Sequence, residues 1–490
     1  MLCRARLLSP RLAQRSLRPA AVEARAARGG WERLFDLESL LSHGFVAGRR
    51  IALDIASHAL QAVDPYGAVL RHAEVRGGRL SIDDDTFDLA RFERIYIVGG
   101  GKACYPQAVA VEQLLGDRIT DGFISVKRGQ LAPFMQRMGR LKRIRVAESA
   151  HPVPDAASLQ AGREILAIAG RVTGGDLLIC LTSGGTSAQV IAPVEGISMP
   201  DKALVNRLMV HSGADITEIM TVRGHLSRIK NGQLAAQLHG ATTITLAVSD
   251  EKTDSLMWNT DWMTPNGTTP ADAVRIAKAY AVWERMPESV RRYLSSHEGS
   301  TPPPAATPAL HQYMVVKTRE LFDAATGRAA QLGLTPLPLT SLLSGESREV
   351  GRVLAAVARE VAHSGQPVAP PCALIATGET SVRLTNGGAG EGGPNQELAA
   401  GVCLELEADA NIAVLALDTD GSDGPTDVAG ALTDGTTPLR AAQAGVDLPA
   451  CLNEHSVSRA LSAAGDAVIT GPTGTNVNDL VAIVVLPDAA

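Results

Sequence analysis

Apolar residues along this chain follow two alternating rhythms. Short continuous runs at 95–98 (Ile-Tyr-Ile-Val), 177–181 (Leu-Leu-Ile-Cys-Leu), 241–248, 373–377, 412–417 and 481–486 have the length and β-branched content of buried strands. Between them, residues 51–63, 103–115, 159–168, 198–211, 216–229, 270–285, 287–293, 321–332 and 350–361 place apolar side chains on one face of a helix, and another helix starts at 396. Shorter strands are expected at 79–82, 123–126, 144–147, 313–316, 335–339 and 467–470. Strands that alternate with helices predict an α/β fold whose sheets are joined by crossover helices. Local signals mark the boundaries. Asp64-Pro65 ends the first helix, because a residue before proline is pushed out of the helical region, and Asp155 is placed to cap the helix that follows the rigid loop HPVPD, 151–155.

The polar positions gather where strands end. After 95–98 come Gly99, Gly100, Gly101 and Lys102, a turn whose backbone N–H groups and ammonium suit an anion; a plain strand-to-helix turn is the competing reading. Cys104 stands where the dinucleotide pattern wants glycine, and Ala103 where the P-loop wants Ser or Thr. A second turn, Thr182-Ser183-Gly184-Gly185-Thr186-Ser187, offers hydroxyl and backbone donors to oxyanions. Arg223, His225, Arg228 and Lys230 form a basic stretch that reads either as an anion site or as a solvated helix face. Asp250 closes the 241–248 strand, placed to hold Mg²⁺ or orient a hydroxyl. Residues 251–269, with Trp258 and Trp262, read as a lid or a docked loop, and 295–308, with three successive prolines, as a linker. The acids of DTDGSDGPTD, 418–427, do not have calcium-loop spacing and suit a ligand-contacting loop better.

Composition narrows the functional classes. At 490 residues and 45% hydrophobic content the chain can bury large cores in two to four domains. A net charge of −6 and only 3% aromatic residues argue against nucleic-acid and anionic-membrane partners. The six cysteines are dispersed and form no CxxC, which suits a reducing compartment. Residues 1–30 carry seven arginines and one acid; they read as a variable extension of a cytoplasmic protein or, alternatively, as a mitochondrial presequence.

The order of motifs resembles the glycerate 2-kinases, a family often labelled hydroxypyruvate reductase. The resemblance rests on GGGKA (99–103), HPVPD (151–155), LTSGGTSA (181–188), TVRGHLSRIKNG (221–232), SD (249–250), GET (378–380), GGPNQELA (392–399), DTDGSDGPTDVAGA (418–431) and GPTGTNVNDL (471–480). It implies two α/β domains, the larger with a Rossmann-like, mostly parallel sheet, and an active site in the cleft between them. The expected divisions are an extension at 1–30, a glycerate kinase-like domain at 31–294, a linker with an α/β segment at 295–371, and a MOFRL domain at 372–490. It also implies ATP and Mg²⁺ as cofactors and transfer of phosphate to the 2-hydroxyl of D-glycerate or a related small hydroxy acid, in a monomer or homodimer. Lys102 and Asp250 are the implied catalytic residues, with Asp250 also the metal candidate. Gly100, Gly101, Ser183, Gly184, Gly185, Ser187, Arg223, Asp420, Asp423 and Asn476 are implied to bind substrate or phosphate. Lys102, on a turn, is expected to be replaceable without harm to the fold.

The chain departs from the family pattern at Thr186, Gly224, Pro394, Asn453-Glu454-His455 and across WNTDWMTPNGTT (258–269). Gly224 and Pro394 stand where the family commonly has lysine and arginine, so two positive charges are missing, for which Arg223 or Arg383 offers compensation. Two other readings follow: a non-catalytic or altered-substrate relative that binds a nucleotide or small anion, and a hydroxypyruvate reductase.

Overall fold

The computed structural model describes residues 34–250, 261–299, 309–384 and 390–487. The arginine-rich extension, Trp258, the triple proline and part of the glycine-rich stretch before the 396 helix lie outside these residues.

A small antiparallel meander, β1 (Ala73–Arg76), β2 (Arg79–Ile82) and β3 (Asp85–Asp88), precedes the first large sheet. That sheet contains β4 (Ile95–Gly100), β5 (Ile119–Lys127), β6 (Ile144–Ser149), β7 (Leu177–Thr182), β8 (Thr242–Val248) and β9 (Leu310–Val316), ordered β6-β5-β4-β7-β8-β9. Every pairing in it is parallel. Strands covered by helices on both faces read as unbroken apolar runs, and all six residues of both β4 and β7 are buried. The strand order reverses between β4 and β7. This switch point opens a crevice at the carboxyl ends of the two strands, where doubly wound sheets bind ligands.

The second sheet holds β10 (Thr335–Leu343), β11 (Cys372–Gly378), β12 (Ile412–Asp418), β13 (Gly430–Asp434), β14 (Ala467–Val468) and β15 (Asp479–Val485), ordered β10-β11-β15-β12-β13-β14. Only β10 and β11 run parallel; the other pairings are antiparallel. The molecule is therefore α/β, with one parallel and one mixed sheet. β13 and the helices Thr437–Gln443, Leu448–Asn453 and Val457–Ala463 carried no sequence signal of their own.

The stretch between 294 and 371 contributes to both sheets: β9 completes the first and β10 edges the second. The helix Val46–Ala62, expected in the first domain, packs on β12, β15 and the helix Thr318–Gln331. Its Arg49 is fully buried; Nε donates to Asp434 (2.5 Å) and Nη2 to Asp466 (2.6 Å), both on the second sheet's side. One apolar cluster runs from Ile97, Ile179 and Leu246 of the first sheet through Leu53 and Leu60 of this helix to Ile375, Leu415 and Val484 of the second. The two sheets therefore share a core, and the cleft between them is a narrow seam.

Candidate active site

The two glycine turns meet at the switch point because neither carries a side chain that would keep the other away. A Cβ on Gly101, which has φ +126°, would sit 2.1 Å from Ser183 Oγ and 2.7 Å from Ser183 O. The turns are joined by hydrogen bonds: Lys102 N donates to Gly184 O (2.9 Å), Ala103 N to Ser183 Oγ (3.0 Å), and Thr186 Oγ1 to Gly100 O (2.6 Å). Gly184 faces the second sheet's loops, where a Cβ would fall 1.9 Å from both Asn476 Nδ2 and Asp250 Oδ2. Thr186, one of the departures, thus ties the two turns together. His151 sits beside Gly185, and burial followed by the charges of Lys102 and Lys127 lowers its pKa to about 4, so the ring is neutral at pH 7.

Lys102 reaches across the seam. Its ammonium pairs with the buried Asp420 carboxylate and donates to Asn476 Oδ1 at 3.5 Å, and Asn476 Nδ2 donates to Asp250 Oδ2 at 3.3 Å. Burial by itself would depress the lysine; Asp420, Asp418 and Asp250 outweigh it and hold the pKa above the ordinary value. Asp420 is held low despite burial by Lys102 and Lys127. Burial and the Asp420 charge push Asp418 well up, and burial and Asp418 do the same to Asp479, its register partner across β12 and β15. Lys127 Nζ also crosses the seam, donating to Ser422 Oγ at 2.7 Å.

A cavity of about 180 Å³ lies on the other side of the 183–187 turn, lined by that turn, Asp250, Arg223, Lys230, Asp261, Ile216 and Met220. Lys230 Nζ is 2.7 Å from Asp261 Oδ2. Behind this wall the buried Lys202 donates to Leu226 O (2.9 Å) and Arg223 O (3.3 Å), and burial, then Arg223 and Lys230, lowers its pKa to about 7. A lysine whose folded value lies below its unfolded value of 10.5 leaves the unfolded chain holding the extra proton between pH 7 and 10.5. Stability should therefore rise with pH across that window, by about 1.4 kcal/mol per unit from this group. Urea unfolding at pH 7, 8 and 9 should show that slope in the wild type and its loss in Lys202→Met.

The structure thus brings together Gly100, Gly101, Lys102, Ser183, Gly184, Gly185, Asp250, Asp420 and Asn476, with Ser187 and Arg223 on the adjoining cavity. Asp423 is placed differently. Its oxygens accept from Asn395 N (3.0 Å), Asn395 Nδ2 (3.2 Å), Gln396 N (2.9 Å) and Gln396 Nε2 (3.1 Å). It thereby secures the start of the helix Pro394–Cys403, and burial raises its pKa to about 6. Pro394 opens that helix, where its missing N–H costs nothing. A Cβ at Gly224 would point onto Asn231, 3.0 Å away. Arg383 is exposed beside Glu346, whereas Arg223 lines the cavity. Of the other basic residues, Arg228 is exposed and His225 bonds Thr268 at 3.0 Å. His455, another departure, pairs with Glu397 at 2.7 Å. Trp262 is 1% exposed and packs beneath Gly100, so this end of the expected lid is core.

Lys127, Lys202, Asp418, Asp479 and Asp261 escaped the sequence reading as site residues. Asp418 was within reach of it, as the residue directly after an apolar strand and two before Asp420. Among the described residues no group of three or more His, Cys, Asp or Glu is arranged to hold a metal. This donor set fits a Mg²⁺ that brings phosphate and water oxygens with it and takes one or two carboxylates, with Asp250 on the cavity wall beside Asp261, which is paired with Lys230.

Comparison with known proteins places the chain in a family. Residues 51–295 match a domain of unknown function, DUF4147, and 372–479 match the MOFRL family. The chain is 37% identical to the glycerate 2-kinase of Pyrococcus horikoshii over 89% of its own length and 97% of that protein's. It is 32% identical to the D-glycerate 2-kinase of Thermotoga maritima over 91% and 99% of the two lengths. A crystal structure of glycerate kinase from Thermotoga maritima superposes with a TM-score of 0.74 at 31% identity, covering 89% of this chain and 99% of that one. With both domains matched and relatives aligned along nearly their whole length, the chain belongs to the glycerate 2-kinase family of phosphotransferases.

Proposed function

We propose that this protein transfers the γ-phosphoryl group of ATP to the 2-hydroxyl of D-glycerate. The observation that carries the reading is the switch-point constellation: two donor-rich turns, a lysine reaching from one of them across the seam, and a cation-lined cavity behind the other. Phosphoryl transfer asks mainly for this, namely positioned donors and positive charge around oxygens, with little covalent chemistry by the protein. As the acid's hydroxyl oxygen bonds to phosphorus, the bond to the β–γ bridging oxygen breaks and ADP leaves. The ammonium of Lys102 and the backbone N–H groups of its turn stabilise the charge on the transferring group. Asp250, oriented by Asn476, accepts the hydroxyl proton. Asp250, on the cavity wall, would be the residue to hold a Mg²⁺ brought by the nucleotide, which would supply charge neutralisation to the phosphate oxygens. No described helix is long and apolar enough to cross a membrane. The five described cysteines are buried and free, which supports a reducing compartment such as the cytoplasm.

An ADP-release assay over D-glycerate, L-glycerate, tartronate and other short hydroxy acids, with hydroxypyruvate plus NADH alongside, tests the reading. D-glycerate should give ADP and phosphoglycerate, with no NADH oxidation above background. Nucleotide binding without turnover of any acid would instead mark a non-catalytic relative, and NADH oxidation a reductase.

A further inference from the structure

The cavity behind the 183–187 turn is small. At about 180 Å³ it is of a size that suits a small acid. Its wall is chemically lopsided. Arg223 and Lys230 both line it, and Lys202 stands directly behind, its amine on the carbonyls of Arg223 and Leu226. Against Arg223 and Lys230 the cavity presents two carboxylates, Asp250 and Asp261. Asp250 is engaged with Asn476 toward the Lys102 side, and Asp261 sits on Lys230. Among the described residues no carboxylate lies within ion-pair distance of Arg223. Burial disfavours its guanidinium, and the charge that offsets this is that of Asp261.

Asp261 is also unusual in how it is carried. Its backbone is pinned, its carbonyl accepting from Gly232 N at 2.8 Å, and the next residue, Trp262, is anchored in the core. The carboxylate is thus delivered to Lys230 from a fixed point on the cavity rim.

We propose that Arg223 and Lys230 are the pair that recognises the carboxylate of the 2-hydroxy acid, and that Asp261 is an internal carboxylate that holds this subsite until the acid displaces it. This deepens the kinase reading and rests on it. With the carboxylate on Arg223 and Lys230, the acid's hydroxyl is left toward Asp250 and the 183–187 turn, beyond which Lys102 stands. The guanidinium's fork matches two carboxylate oxygens, while Lys230 contributes a point charge that can exchange one carboxylate for another. An acid and its uncharged amide should therefore be separated sharply by this wall.

The test compares D-glycerate with glyceramide as substrates for the wild type, Arg223→Gln, Lys230→Met and Asp261→Asn, with KM for ATP measured in each and folding checked by circular dichroism. Arg223→Gln and Lys230→Met should raise KM for D-glycerate about 10- to 100-fold, leave KM for ATP within about threefold, and narrow the acid-to-amide preference by a similar factor. Asp261→Asn, nearly isosteric, should lower KM for D-glycerate severalfold, because the competing carboxylate has gone. It keeps the proposal testable even where a cation variant does not fold. A rise in KM for ATP rather than for the acid, or an acid-to-amide preference unchanged in Arg223→Gln, overturns the proposal while leaving the kinase reading in place. So does a raised acid KM in Asp261→Asn, which would make the ion pair structural. A wild type that phosphorylates no acid sinks the kinase reading, and this proposal with it.

Discussion

Replacing Lys102 by alanine is expected to lower kcat/KM by about 10² or more, on the order of 3 kcal/mol of transition-state stabilisation, and to destabilise the fold as well. The turn position alone suggested a harmless truncation, but the structure shows otherwise. Lys102 is 14% exposed and its partner Asp420 is 0% exposed, so alanine strands a buried carboxylate without its cation. Breaking a buried pair from one side costs about 3–5 kcal/mol, more than the pair itself contributes. Two further variants separate the effects. Adding Asp420→Asn to Lys102→Ala removes the stranded charge and should recover stability by urea unfolding without recovering turnover. Lys102→Arg keeps the charge but replaces a compact ammonium with a planar fork, and should remain impaired in kcat. Full activity in any Lys102 variant would remove this residue from the catalytic role.

The largest effect on stability is expected at Arg49, far from the chemistry. Its guanidinium holds Asp434 and Asp466, both buried, and these are bound in turn by Arg440, Thr436 and Thr437. Arg49→Met leaves this charge and hydroxyl network short of one cation in a site that water does not reach, and should cost about 3–5 kcal/mol. Arg49→Lys should cost nearly as much, because one ammonium cannot serve two carboxylates in the geometry of a fork. Urea unfolding of the three proteins checks this, and a loss under about 1 kcal/mol for Arg49→Met would show that the network tolerates the gap.

The parts of this molecule that periodicity exposes are those whose environment is symmetric. β4, β7, β11, β12 and β15 are covered on both faces and so appear as plain apolar runs. β13, with the sequence GALTD, is equally buried, but Thr433 and Asp434 are satisfied there by partners that come from elsewhere in the chain, so no apolar run announces it. The same holds for the site. Gly101, Gly184 and Lys102 could be found because a glycine turn after a buried strand has a local signature. Asp479 could not, and Asp418 only by its place after an apolar run, since what makes the two unusual is the antiparallel pairing of β12 with β15, which sets two carboxylates side by side. Asp423 shows the converse: its motif pointed to the cleft, yet the carboxylate is consumed in starting a helix. Lys202 lay in a helical pattern with no signal of its own, and only its bonds to the carbonyls of Arg223 and Leu226 reveal a buried amine.

The helix Val46–Ala62 also imposes an order on how the molecule can be made. Arg49 is separated from Asp434 by 385 residues, and from Asp466 by 417. At a synthesis rate of about 5–20 residues per second, this helix emerges roughly 20–80 seconds before its partners exist. During that interval its apolar face, Ala52, Leu53, Ile55, Ala56, Ala59 and Leu60, has nothing from the second sheet to cover it. The first sheet can form around β4 to β9 meanwhile, but the opening segment of the chain must wait for the closing one. Nascent chains arrested before residue 434 should therefore be protease-sensitive at residues 46–62 and resistant across β4 to β8, and should become resistant at both places once β15 has left the ribosome.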